Sequence, residues 1–148
     1  MGRIVMVWTA VALLALTGTA RAMDPRELVA MPADVQEDML TTMRDHLMAL
    51  DTVLSHVASE RYAAAADLAV ERFASHSFDR KGAERMAAFM PQPMRDASDG
   101  LREAAGRFAV AARAADAERS YRAMKNLAGA ISDITATCDG CHAHYRIR

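Results

Sequence analysis

Residues 124–145 read MKNLAGAISDITATCDGCHAHY. Within them Met124, Leu127, Ile131, Ile134, Cys138, Cys141 and Tyr145 step by three and four, the spacing that keeps side chains on one face of an α-helix. Both cysteines of the chain therefore lie on the apolar seam of a long C-terminal helix. Cys138-Asp139-Gly140-Cys141-His142 also has the Cys-x-x-Cys-His spacing of c-type haem attachment. Thiols three positions apart on a helical turn can add to the two vinyl groups of one porphyrin, and the next residue, His142, is then placed to bind the iron. No third cysteine is left over. A cofactor attached at this point follows the seam into the core instead of hanging from the surface.

Other uses of a Cys-x-x-Cys ask for different surroundings. A redox dithiol of the thioredoxin type wants a strand before the motif and a helix after it. A zinc site usually draws its ligands from two separated knuckles, whereas Cys138, Cys141, His142 and His144 crowd into seven residues. A plain disulfide is the third alternative.

The rest of the chain has no alternating β-branched run, and its apolar residues recur every three or four positions, which predicts an all-α protein. Four helices are expected. The first runs from Pro32 to Ser59, with Pro32 in a suitable N-terminal position and Asp34, Glu37 and Asp38 favouring that end electrostatically. The second runs from Arg61 to Ser75. A connection from Ser77 to Pro93 follows, punctuated by Gly82, Pro91 and Pro93, with a short helical piece near Ala83 to Phe89. The third helix runs from Met94 to Ala115 and the fourth from Ala117 to Tyr145. On the first helix, two overlapping stripes share Met43 and Leu50: Leu40, Met43, Leu47, Leu50, Leu54, Val57 and Met39, Met43, His46, Leu50, Val53, Val57. Four such helices with short loops and one longer crossing predict an antiparallel four-helix bundle, with haem c attached near the C-terminus of the last helix.

The N-terminus reads as an export signal. A short basic start precedes the apolar run Ile4 to Ala15, and Thr19-Ala20-Arg21-Ala22 ends in a small-x-small pattern, so cleavage is expected after Ala22. Residues 23–148 then form one haem domain in an oxidising compartment, the periplasm, with no stable membrane insertion after cleavage. Without Arg3 and Arg21, 16 basic residues face 19 acidic ones, and no basic stripe occurs, so nucleic acid is not an expected partner. No Ser-His-Asp set, Gly-rich phosphate loop or suggestively spaced carboxylate pair is present, and no enzymatic activity is expected. Met86, Met90 and Met94 recur every four residues, but Pro91 and Pro93 interrupt a helix there, so these thioethers are expected to pack onto the core.

Cys138-Asp139-Gly140-Cys141-His142-Ala143-His144-Tyr145-Arg146 at the C-terminus resembles the class II c-type cytochromes, the cytochrome c′ group, whose haem motif sits on the last helix of a four-helix bundle. The resemblance implies one covalent haem c, thioethers at Cys138 and Cys141, and His142 as the proximal iron ligand. It places the basic residue Arg146 near the proximal imidazole. In one branch of the family a first-helix methionine fills the sixth iron position and the protein carries electrons. In the other the distal site is open and binds NO or CO. Thr42-Met43-Arg44-Asp45-His46 resembles the first-helix segment that supplies the methionine, and Met43 is the residue carried over. His46, one turn later on the second stripe, competes with it, as does an open site. The expectation is an exported monohaem electron carrier with redox proteins as partners. The alternative is a protein that binds a diatomic gas. Relatives of this kind often form homodimers through their first two helices.

Overall fold

The computed structural model describes residues 24–74 and 80–148. The expected signal segment, residues 1–22, and residues 75–79 of the connection, His76 among them, lie outside the described residues. The described residues are all-α apart from one pair of two-residue strands. In order come β1 (Glu27–Leu28), α1 (Ala33–Ala58), α2 (Tyr62–Ala69) continued by a π-helical turn (Val70–Ala74), α3 (Arg80–Ala87), α4 (Gln92–Glu118), α5 (Tyr121–His142) and β2 (Tyr145–Arg146). Among the described residues no helix is long and apolar enough to cross a membrane.

Local chemistry sets the ends. α4 begins two residues before the expected Met94, because Pro93 sits in the first turn, where a missing N–H costs nothing. α5 begins at Tyr121 and not at Ala117. Arg119 takes a left-handed conformation (φ 46°) that stops α4, and the Ser120 hydroxyl then accepts the Ala123 amide at 3.1 Å as an N-cap. Glu60 is left-handed too (φ 56°), between α1 and α2, and its carboxylate lies 3.8 Å from Arg119, so these two tight turns meet at one end of the molecule. The second helix is not the uniform α-helix expected over Arg61 to Ser75. Its last turn widens to π, a form often found at functional sites.

α4 is the central element. It packs along α5 and against α2 with its π turn, while α2 packs on α1. The seams are made of small side chains: Ala65, Ala66, Ala104, Ala105 and Ala112 are fully buried, around the larger Phe108, Leu127, Ile134 and Val53. Gly100 completes the close approach of α4 to α5, because a Cβ there would lie 3.2 Å from the Thr137 methyl group. On α1 the second of the two stripes is the inward one. Met39 and Val53 are buried, whereas Leu47 and Leu54 of the first stripe point outward. The buried apolar residues divide into two clusters. The larger one fills the α1–α2–α4–α5 interior, and the smaller gathers Val29, Val35, Met39, Met86 and Met94 around the chain's C-terminal tail.

The C-terminus leaves the helix after His142, so Tyr145 belongs to a strand and not to the helix, as the periodicity had suggested. β2 pairs in parallel with β1, Glu27 opposite Tyr145 and Leu28 opposite Arg146. The Glu27 amide donates to the His144 carbonyl and the Val29 amide to the Arg146 carbonyl, each at 2.8 Å. The Gln36 side-chain amide donates to the Ile147 carbonyl. The segment that precedes α1 thus straps the tail that follows the Cys-x-x-Cys-His motif.

Replacing Ser120 by Ala is expected to lower stability by about 0.5–2 kcal/mol, the range for losing a helix N-cap. Chemical denaturation of the two proteins measures it, and an unchanged midpoint would show that the cap does not hold the start of α5.

Candidate functional site

α1 packs on α2, but its face toward α5 is separated from that helix by a cavity of about 570 Å³. That volume lies within the range of roughly 300–1,000 Å³ typical of small-molecule and cofactor sites. α1 contributes Met39, Met43, His46 and Leu50 to the wall; α4 contributes Met94, Leu101 and Arg102; α5 contributes Ile134, Cys138, Cys141 and His142. Phe73 enters from the π turn, and Met86 and Met90 close the wall from α3 and the bend after it. The lining draws on both buried clusters, so the cavity lies between them.

The residues singled out in the sequence converge here. Cys138, Cys141 and His142 line the cavity from α5, and Met43 and His46 line it from α1. Both cysteines are half-buried and unbonded. Burial raises the pKa of each thiol, and the neighbouring Cys138 raises that of Cys141 further. His46 meets the Phe73 ring edge-on at 5.5 Å between centroids. Its pKa is lowered, first by burial and then by the Arg72 guanidinium, with Asp45 pulling the other way. Among the described residues no three His, Cys, Asp or Glu side chains converge to hold a metal ion, and His144 is exposed.

Arg146 is part of β2, its Nε is 4.0 Å from an Asp24 carboxylate oxygen, and it does not line the cavity. Arg26 binds the same carboxylate at 2.6 Å, holding the Asp24 pKa at about 2, and donates from Nη1 to the His142 carbonyl at 3.5 Å. Arg26, from the strap before α1, is thus a basic group at the motif's backbone. Met86, Met90 and Met94 pack as expected, but all three do so on the cavity wall. Phe73, Arg44, Arg102 and Arg148 also line it and were not singled out from sequence. Arg102 follows Leu101, an apolar residue of α4 that also lines the cavity.

The donor set fits a c-type haem: two free thiols and an imidazole on one wall, a thioether and a second imidazole facing them, and apolar side chains between. The chain was compared with family models, with curated proteins and with solved structures, and none of them matches it.

Two pH effects follow for the chain without cofactor. The buried thiols should alkylate more slowly at pH 8 than an unperturbed cysteine, with a rate still climbing above the ordinary thiol pKa; mass spectrometry of iodoacetamide adducts measures this, and free-cysteine rates would contradict it. The lowered pKa of His46 means that the unfolded chain takes up its proton first as pH falls. The associated stability is complete above the ordinary histidine value of 6.5 and is lost as pH drops below it toward the folded value. His46→Leu should flatten that part of the stability–pH curve, and an unaltered curve would exclude His46 as its source.

Proposed function

We propose that this chain is an exported monohaem c-type cytochrome of the class II group, built as an antiparallel four-helix bundle, and that it carries electrons in the periplasm. One observation carries the proposal: Cys138, Cys141 and His142 line the same apolar cavity as Met43 on the facing helix. Haem c supplies one reversible electron when bound. The chain's own residues do the rest. Cys138 and Cys141 would tether the group to α5, and His142 and Met43 are the residues that would hold its iron. Keeping the same two ligands in both redox states limits the rearrangement that accompanies each transfer. The apolar walls exclude water and hold the ligands. Met43 is preferred to His46 because the His46 ring is engaged edge-on with Phe73. A thioether ligand also raises the potential relative to a second imidazole. Encounters with redox partner proteins are expected to be brief, over small interfaces.

The test is an optical spectrum of protein produced with a haem-attachment system. A low-spin reduced spectrum with sharp α and β bands is expected, and Met43→Ala should convert it to high spin while covalent haem content stays constant. A wild-type spectrum that is broad, high-spin and shifted by CO would overturn the carrier and mark a protein that binds diatomic gas. Conversion to high spin by His46→Ala in place of Met43→Ala would move the sixth ligand to His46. Protein that comes out colourless from a competent host would overturn the haem itself.

A further inference from the structure

The ionised groups on the cavity wall are of one sign. Arg44 from α1, Arg102 from α4 and Arg148 from the tail line it, and among the described residues no Asp or Glu does. The other described lining residues are apolar, hydroxyl, thiol or imidazole. A wall of this composition matches a ligand with a large apolar body and an anionic edge, because guanidiniums beside an apolar surface are best satisfied by carboxylates that they can bind in bidentate fashion. The three cations are not equivalent. Arg44 and Arg148 are exposed, whereas the Arg102 side chain is about one-third exposed and rises from the most heavily packed helix of the molecule. One of its terminal nitrogens, Nη2, is bonded to Asp99 one turn earlier on α4, which holds the side chain along the helix and leaves Nη1 and Nε as donors.

We infer that Arg102 is the principal carboxylate-binding residue of this cavity, with Arg44 assisting from the facing helix, and that the pair fixes the orientation and local charge of a cofactor held by Cys138 and Cys141. The inference rests on the haem reading above. The thioether edge of a porphyrin and its two propionates are on opposite sides of the ring. A group tethered at α5 would present its acids to the walls away from the cysteines, and α4 and α1 each supply a guanidinium to the lining. Arg102 is a positioning residue: it touches the cofactor's acid groups and takes no part in ligating iron. Its positive charge disfavours the extra charge of the ferric state, so it also raises the reduction potential.

The experiment compares wild type, Arg102→Gln, Arg102→Lys and Arg44→Gln, each produced with a haem-attachment system. Covalent haem is quantified first, and then the midpoint potential at pH 7 and the propionate bending band in resonance Raman spectra are measured. Arg102→Gln is expected to keep one haem per chain, lower the potential and shift the propionate band. Arg102→Lys should restore most of the potential but not the band, since an ammonium replaces the charge without the planar fork. Arg44→Gln should give the same changes at smaller amplitude. If Arg102→Gln fails to accumulate, Arg44→Gln and Arg102→Lys make the same comparison. Loaded variants whose potential and propionate band both match wild type would overturn this inference and leave the haem reading standing. A wild type that carries no haem would overturn both.

Discussion

Small side chains on α4 decide where the volume of this molecule goes. Alanines at 104, 105, 109, 112 and 115 are buried against α2 and α5, and Gly100 allows contact with Thr137. Packing of this kind brings helix backbones close on one side of the molecule. The larger residues that would close the other side, between α1 and α5, are absent from the alanine seams. Instead, Met39, Met43, Leu50 and Phe73 stand around a cavity. The core is close-packed in one half and lines a cavity in the other, whereas protein interiors otherwise pack at nearly crystalline density; on the proposed reading that cavity takes the cofactor. The division of the buried residues into two clusters with the cavity between them has the same origin.

The second constraint is on the tail. A helix that ends six residues before Arg148 offers little to keep the residues after the motif in place. The short parallel pairing of β1 with β2, the bonds from Glu27, Val29 and Gln36, and the contact of Arg26 with the His142 carbonyl tie them to the start of α1. The smaller cluster, with Met31, Cys141, Tyr145 and Ile147 packed at its margin, buries this clasp against α1, α3 and α4. On the proposed reading, the strap holds the backbone next to the proximal ligand, while the distal ligand comes from a helix that stands across the cavity. The two sides of the iron would then be positioned by separate devices: a strap between the segment before α1 and the C-terminal tail, and the packing of α1 on α2.

Much of this was legible along the chain. The 3-4 stepping over Met124 to Cys141 gave α5 and its inward face, and the spacing of Cys138, Cys141 and His142 carries the chemistry proposed above, which needs only local geometry. Other features were not legible, for particular reasons. Both stripes of α1 satisfy helical periodicity, and a helix does not know which face its neighbours will cover. Leu47 and Leu54 are exposed although both belong to one of those stripes, and Leu47 still borders the cavity. The α5 start depended on Arg119 adopting a left-handed conformation, which its side chain does not announce. Arg146, with the expected spacing, turned toward Asp24, a partner more than a hundred residues away that spacing within the motif cannot reveal. The Arg102 position on the wall follows from how far α4 is rotated against α5, a packing result.

The sequence alone determined the helices, the thiol–thiol–imidazole arrangement on one of them and the small size of the residues between them, because each depends on near neighbours and on a repeating period. Only the tertiary structure decided that Met43 and His46 line the same cavity as that arrangement, that among the described residues arginines and no acids share the wall, and that the segment before α1 clasps the C-terminal tail. These depend on which faces meet across the interior, and that is settled by packing many side chains at once, so no single segment encodes it.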